Sequence, residues 1–303
     1  MSAFRNEYVG VIAAMASSAL GGVAGGTTRF AIGASDPVTL GLFRFGVGFL
    51  LLLPIALALR IKWPRGQDWL SVAALGVMYF ALFIVLFNLA FRYTTAARGS
   101  LALSTLPLMT MLVGAAFGVE ALDSRKTVGV IIAMTGAAVA LVTGVADAPS
   151  AAWRGDLIMV AATLVMALYN VWSRPFIIRS SPLAYVTAGM GFGSACLLGV
   201  AAWSESYVTV TSFNGPQWMA VVYLGVFGGA AAFFLWVFAL ERTTPTRTAI
   251  TMTINPVFAS AVGALTLGEP IGINLIVGLF AVFAGIWIAT SESSAKKGGR
   301  LPV

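Results

Sequence analysis

The chain contains an internal repeat, in which the stretch from Thr94 to Gly136 returns 149 positions later as the stretch from Thr243 to Gly285. The matching positions pair Thr94 with Thr243, Thr95 with Thr244, Arg98 with Arg247, Pro107 with Pro256, Gly114 with Gly263, Ala115 with Ala264, Glu120 with Glu269, Gly129 with Gly278 and Gly136 with Gly285. Upstream, at a shift of 145, the pairs are Gly10 with Gly155, Ala16 with Ala161, Arg29 with Arg174, Pro37 with Pro182, Gly46 with Gly191 and Gly48 with Gly193. Similarity over most of the chain predicts two units of the same fold.

The composition places both units in a membrane. Hydrophobic residues make up 59% of the chain and charged residues 10%, and the mean hydropathy is +0.93. A soluble domain carries far more charge on its water-facing surface, so this class is excluded. The sequence predicts an all-α integral membrane protein.

Ten apolar runs have about the length that crosses the hydrocarbon core as a helix. They lie near 8–30, 37–59, 68–91, 95–118, 124–145, 153–177, 182–203, 215–240, 245–268 and 271–291, and we number them spans 1 to 10. The prediction is therefore a first five-helix repeat over 1–146, a second over 147–291, and a cytoplasmic tail over 292–303.

The basic residues outside the spans favour one side of the membrane. With the N-terminus inside, the inner segments collect Arg5, Arg60, Lys62, Arg65, Arg125, Lys126, Arg174, Arg179, Arg242, Arg247, Lys296, Lys297 and Arg300, and the outer ones Arg29, Arg92, Arg98 and Arg154. By the positive-inside rule both termini are cytoplasmic. The net charge of +7 is explained by these loops, and no basic stripe with interleaved aromatics predicts nucleic-acid binding.

An odd number of spans per repeat reverses the orientation of the second copy. Two such inverted copies are related by a pseudo-two-fold axis in the membrane plane, as in many secondary transporters, with a site near the midplane at their junction. The alternative is a stable bundle or channel, but a channel needs a ring of charge or carbonyls, and the sequence shows none. The repeat therefore predicts transport by alternating access.

Short motifs close to the span ends resemble a known family. The second unit has Gly268-Glu269-Pro270 followed by Gly278 and Gly285, and the first has Gly118-Val119-Glu120 followed by Gly129 and Gly136. With the preceding Thr-Thr-x-x-x-Arg and a mid-span proline, this pattern resembles the EamA-type transporters of the drug/metabolite transporter superfamily. The chain is also similar to bacterial exporters of aromatic amino acids.

The resemblance implies a basket of ten helices in a bacterial inner membrane. It implies a central cavity lined mainly by spans 1, 3, 4, 6, 8 and 9, with spans 5 and 10 packed to one side. Independently, Gly129 and Gly136 lie seven residues apart on one face of span 5, as Gly278 and Gly285 do on span 10. Small residues on one helix face allow close backbone approach, so we expect these glycines to pack.

Polar and aromatic side chains at membrane depth are the candidates for substrate binding, because a buried polar group needs a partner or a wet cavity. The predicted substrate-binding set is Tyr79, Phe83, Asn88, Ser100, Ser104, Tyr169, Asn170, Trp236, Met252 and Asn255. The alternative for the serines is a bond to the preceding helical turn, and for the aromatics a lipid-facing position. Pro107 and Pro256 are predicted hinges, since each frees a carbonyl one turn earlier.

Ionisable residues inside the spans are few. Arg44 is the one cation well inside a span; it either snorkels to the headgroups or faces the cavity and meets a carboxylate. Arg98 and Arg247 are either paired gates or interfacial anchors. No Asp or Glu lies mid-span, histidine is absent and Cys196 is the single cysteine, so we expect no metal, no cofactor and no visible proton-coupling carboxylate.

These features predict a secondary transporter that exports aromatic and other neutral amino acids, and we expect it to act as a monomer. A neutral cavity with aromatic walls suits a zwitterion with an apolar side chain. A broad-specificity drug or metabolite exporter is the alternative. An intramembrane enzyme is disfavoured, because histidine and mid-span acids or lysines are missing.

Overall fold

The computed structural model describes residues 2–94, 96–145, 151–205, 213–258 and 273–290, and in these residues the secondary structure is helical throughout. The spans comprise Ser2–Ala31 (1), Pro37–Ala58 (2), Asp68–Val77, Met78–Phe83 and Ile84–Tyr93 (3), Ala96–Leu103 and Leu106–Ala116 (4), Ser124–Val145 (5), Ala152–Arg179 (6), Pro182–Ser204 (7), Gly215–Gly225, Val226–Ala231 and Ala232–Arg242 (8), Pro245–Ile250 and Thr251–Ile254 (9) and Ile273–Thr290 (10). Seven described segments are long and apolar enough to cross a membrane. The all-helical membrane fold is confirmed. The predicted boundary at 146/147, Glu269, the rest of span 9 and the tail lie outside the described residues.

Several spans begin with a capping residue followed by proline. The Asp36 carboxylate accepts hydrogen bonds from the backbone N–H groups of Val38 (2.9 Å) and Thr39 (3.0 Å), and Pro37 opens the helix. Such a cap satisfies donors that have no helical partner and contributes about 1 kcal/mol. The same arrangement starts spans 7, 8 and 9 at Ser181-Pro182, Asn214-Gly215-Pro216 and Thr244-Pro245. A polar cap followed by proline thus marks the start of four of the described spans.

Spans 5 and 10 pack against each other through their glycines. A Cβ added to Gly129 would lie 2.7 Å from the carbonyl oxygen of Gly285, and one added to Gly136 would lie 2.8 Å from that of Gly278. Gly129 thus contacts Gly285, which is the repeat mate of Gly136. Gly136 contacts Gly278, which is the repeat mate of Gly129. A two-fold axis perpendicular to the helices produces this crosswise pairing. Spans 5 and 10 therefore run antiparallel, which means that the two repeats are inverted.

The third span of each repeat contains one π-helical turn at an equivalent position. Met78–Phe83 forms this turn in span 3, and Val226–Ala231 forms it 148 positions later in span 8. A π turn changes the register of helical hydrogen bonds and frees a carbonyl, and such turns are frequent at functional sites. Both turns supply residues to the centre of the bundle.

Spans 4 and 9 depart from regular α-helix just before their prolines. Span 4 is interrupted at Ser104 and Thr105, ahead of Pro107, and span 9 tightens into the 3₁₀ turn Thr251–Ile254 ahead of Pro256. Proline removes a backbone donor and clashes with the preceding turn. Hinges were predicted at Pro107 and Pro256, and the interruptions lie just before these two prolines. That the helices bend or move at these points stays a prediction.

Candidate functional site

A small cavity lies at the junction of the two repeats. Spans 1, 2, 3, 4, 6, 8 and 9 line it through Ser17, Gly21, Arg44, Tyr79, Phe83, Phe87, Leu103, Met166, Ala232, Phe233, Trp236, Met252 and Asn255. Its volume is about 40 Å³, which is room for a few water molecules but not for an amino acid. The bundle must therefore widen here before a solute of that size binds.

Stacked aromatic rings form one wall of this cavity. The Tyr79 ring stacks on Phe83 at a centroid distance of 4.7 Å and on Tyr169 at 4.1 Å. Phe233, from the other repeat, meets Tyr79 edge-on at 5.4 Å. Tyr169 itself lies behind Tyr79 and does not line the cavity. The wall is thus largely apolar, and its rings pack mainly against one another.

Trp236 is held in the cavity by a buried amide. Its indole Nε1 donates a 2.9 Å hydrogen bond to Oδ1 of Asn170, which is fully buried. Asn170 does not line the cavity. Its function in this geometry is to satisfy and orient the Trp236 indole.

Arg44 is buried rather than snorkelled. Its side chain is 5% exposed, and Nε and Nη2 donate to the carbonyl oxygen of Gly228, in the π turn of span 8, at 3.1 and 3.0 Å. Its guanidinium carbon lies within 6 Å of the ring centroids of Phe45, Phe87 and Phe233. No carboxylate in the described part of the chain pairs with it. An arginine at the centre of a membrane helix costs about 3 kcal/mol, so this charge needs an explanation.

Two further polar atoms of cavity residues have no hydrogen-bond partner in the described structure, namely Oη of Tyr79 and Oδ1 of Asn255. Buried polar atoms are usually satisfied, and each exception indicates strain, water or a ligand. Span 1 makes room for Asn255, because a Cβ on Gly21 would lie 3.4 Å from its Nδ2. Among the described residues, no cluster of acidic or cysteine side chains is placed to hold a metal ion.

The structure places half of the predicted binding residues on the cavity and the others elsewhere. Tyr79, Phe83, Trp236, Met252 and Asn255 line it. The other five do not: Asn88, Ser100, Ser104, Tyr169 and Asn170.

Two of these outlying residues donate a hydrogen bond to the backbone. Asn88 Nδ2 donates to the Pro37 carbonyl at 2.9 Å and so ties span 3 to the start of span 2. Ser104 Oγ donates to the Ser100 carbonyl at 2.8 Å and faces a separate open groove of about 490 Å³ beside span 5. Ser104 therefore makes the hydrogen bond to the preceding helical turn that was the alternative to substrate binding.

Sequence reasoning missed some of the lining residues. Ser17 Oγ donates to the Ala232 carbonyl at 2.7 Å and thereby joins span 1 to span 8. The mid-span pair Ser17-Ser18 is a polar signal that would have indicated it. Gly21 and Met166 carry no comparable signal, because small and apolar residues are common throughout the spans.

One end of the bundle is joined across the repeats at Asp156, and we call it the Asp156 end. Thr94 Oγ1 donates to Asp156 Oδ1 at 2.7 Å, and the Arg98 guanidinium pairs with Oδ2. Beside this carboxylate, a Cβ on Gly155 would lie 2.7 Å from the Ala90 carbonyl oxygen. Spans 3 and 4 of the first repeat thus meet span 6 of the second.

The opposite end, which we call the Glu7 end, has a comparable arrangement. Arg247, the repeat mate of Arg98, forms an ion pair with Glu7 at the start of span 1. Span 1 crosses span 8 at Gly10, the repeat mate of Gly155, where an added Cβ would lie 2.9 Å from Arg242 Cβ. Spans 8 and 9 of the second repeat therefore meet span 1 of the first, and both ends are joined in the same structure.

Two inverted repeats of membrane helices, with an aromatic and polar cavity at their junction, define a secondary-transporter architecture. The family model of the EamA-like transporter family matches residues 8–142 and 153–291, one match in each repeat. The chain belongs to the EamA-like transporter family, and it is a transporter rather than an enzyme.

Curated relatives agree with this membership, and a solved structure shares the fold. An uncharacterized transporter of Archaeoglobus fulgidus is 25% identical over 89% of this chain and 95% of its own length. A probable terminal-alkyne amino-acid exporter of Streptantibioticus cattleyicolor is 26% identical over 85% of each chain. A crystal structure shares the fold with a TM-score of 0.74, at 20% identity over 94% of this chain and 97% of that one.

Proposed function

We propose that the protein exports aromatic and other neutral amino acids by alternating access between its two repeats. The observation that carries this proposal is the small cavity where the repeats meet, with aromatic walls, one buried cation and unpartnered polar atoms. A zwitterion with an apolar side chain matches these groups, because its charges need polar partners and its side chain needs rings.

The two joined ends support alternating access. Each end is held by an ion pair between the repeats, and the side chains involved are 15 to 29% exposed. Partly exposed pairs contribute about 1 kcal/mol or less, so each ion pair adds only a small cost to the opening of its end. Separating one end while the other stays joined gives two states that face opposite sides of the membrane.

The likeness to the Streptantibioticus cattleyicolor protein supports the substrate class, since the name of that relative specifies an amino-acid exporter. The likeness of the motifs to exporters of aromatic amino acids points the same way. For the location we propose a bacterial inner membrane with both termini in the cytoplasm, on the distribution of basic residues, and a protein that acts as a monomer.

Alanine in place of Trp236 is expected to weaken phenylalanine transport by about fivefold or more, because a buried aromatic contact is worth about 1 kcal/mol beyond its area. The measurement is counterflow of radiolabelled phenylalanine, threonine and glutamate in proteoliposomes. Asn170→Ala should give a smaller loss, because it only releases the indole.

The matched control is Trp203→Ala, since Trp203 is 91% exposed in span 7. Saturable phenylalanine or threonine flux that Trp236→Ala weakens and Trp203→Ala does not would support the proposal. Folded protein that moves none of the amino acids would contradict it and favour the broad-specificity drug or metabolite exporter.

A further inference from the structure

We propose that Arg44 binds the carboxylate of the transported solute. This inference rests on the proposed function, and it adds the group of the solute that is recognised and the residue that recognises it. Nothing in the family match assigns a role to this position.

The first argument is the number of donors left over. A guanidinium has five N–H donors, and two of its nitrogens use one bond each on the Gly228 carbonyl oxygen. Three N–H donors of Arg44 therefore have no protein acceptor in the described structure, in a side chain that lines the cavity. A carboxylate matches the planar guanidinium fork and forms short, charge-assisted bonds with it.

The second argument is the asymmetry between the repeats. The shift of 145 that pairs Gly46 with Gly191 makes Gly189 the mate of Arg44. Gly189 packs closely on the third span of the other repeat, where its Cβ would lie 2.9 Å from the Phe80 ring. The second repeat thus occupies this position without a charge, so the fold itself does not require an arginine there. We attribute Arg44 to a binding function that only the first repeat provides.

The third argument is the setting of the charge. Phe45, Phe87 and Phe233 surround the guanidinium at 5.6, 5.9 and 5.6 Å, so its surroundings are of low polarity. An ion pair formed in such a place is much stronger than one in water. The rings partly stabilise the empty site through cation–π attraction, so Arg44 stays buried while it has no anion.

The position of Arg44 also orients the solute. With the carboxylate at span 2, the remainder of the molecule extends toward residues of spans 3, 8 and 9. There Asn255 Oδ1 is an unpartnered acceptor for an ammonium group, and Tyr79, Phe83 and Trp236 receive the side chain. The carboxylate thus bridges the repeats through Arg44 of the first repeat and the π turn of the second that holds it.

The test compares three probes in proteoliposome counterflow: phenylalanine, phenylalaninamide, which lacks the carboxylate, and 3-phenylpropionate, which lacks the ammonium. The variants are Arg44→Gln and Arg44→Lys, with Arg29→Gln as a control, since Arg29 bonds a backbone carbonyl near a span end. Folding is checked by the melting temperature in detergent.

In the wild type we expect phenylalanine to be carried at least about tenfold better than its amide, the size of one charged hydrogen bond. Arg44→Gln should lose that preference, because transport of phenylalanine falls more than transport of the amide, and Arg44→Lys should keep part of it. The Arg29 control should retain the full preference.

Equal transport of phenylalanine and its amide by the wild type, or an unchanged preference in a folded Arg44→Gln variant, would overturn the inference, as would an equal loss of both probes. Transport of 3-phenylpropionate alone, abolished in Arg44→Gln, would refute the amino-acid proposal and leave the carboxylate site standing. Failure of all three probes would refute both.

Discussion

Asparagine in place of Asp156 is expected to open the Asp156 end, and glutamine in place of Glu7 to open the Glu7 end. Asp156 accepts from Thr94 and Arg98, and Glu7 pairs with Arg247. Removing either charge should destabilise the closed form of the end that it holds by about 1 kcal/mol, after allowance for partial exposure. Because the ends compete, that change shifts the ratio of the two open states by roughly fivefold to tenfold.

The measurement is labelling of a cysteine placed in the cavity. Ser17→Cys in a Cys196→Ser background would be treated with a membrane-impermeant thiol reagent from each side of oriented vesicles. We expect Asp156→Asn to raise the labelling rate from one side and Glu7→Gln to raise it from the other. With the proposed topology, the Asp156 side is the outer one.

The control for these variants is Glu241→Gln, because Glu241 pairs with its neighbour Arg242 on the same helix and does not bridge the repeats. It should leave labelling unchanged from both sides. A rise from the same side in both Asp156→Asn and Glu7→Gln would show that the two ion pairs do not close opposite ends.

Valine in place of Gly285 is expected to prevent stable folding. The Cβ of any residue there would lie 2.5 Å from the Ala133 backbone nitrogen and 2.6 Å from the Gly129 carbonyl oxygen. Both neighbours are backbone, so spans 5 and 10 would have to move apart. Overpacking of this kind costs about 1–3 kcal/mol, and the separated helices also lose the close packing that holds membrane helices together.

The matched change is Gly199→Val in span 7, where nothing lies within 4 Å of an added Cβ. The measurement is the yield of monodisperse protein in detergent and its melting temperature. Gly285→Val should give little monodisperse protein, and Gly199→Val should behave as the wild type does. A Gly285→Val protein with the wild-type melting temperature would mean that the two helices do not pack as described.

The architecture was predictable because it depends on local properties of the sequence. The length of an apolar run determines whether it spans a membrane, and an odd number of spans determines inversion. The close packing of the glycines in spans 5 and 10 followed from small residues at a helical spacing.

The interior of the site was less predictable, because it depends on contacts between distant spans. Sequence alone left open whether Arg44 snorkels or is buried. The answer depends on the free Gly228 carbonyl of a π turn, and a π turn has no clear signature in composition. In the same way, Asn88 and Asn255 are both buried mid-span amides, but Asn88 meets the Pro37 carbonyl while Asn255 faces the cavity.

The small volume of the cavity bears on the concentrations at which the protein works. A solute that first has to widen a space of about 40 Å³ binds only the fraction of molecules that are already wide, and its apparent affinity falls by that fraction. Low solute concentrations would then leave most molecules empty, and transport would rise only as the solute becomes concentrated enough to hold the wide form.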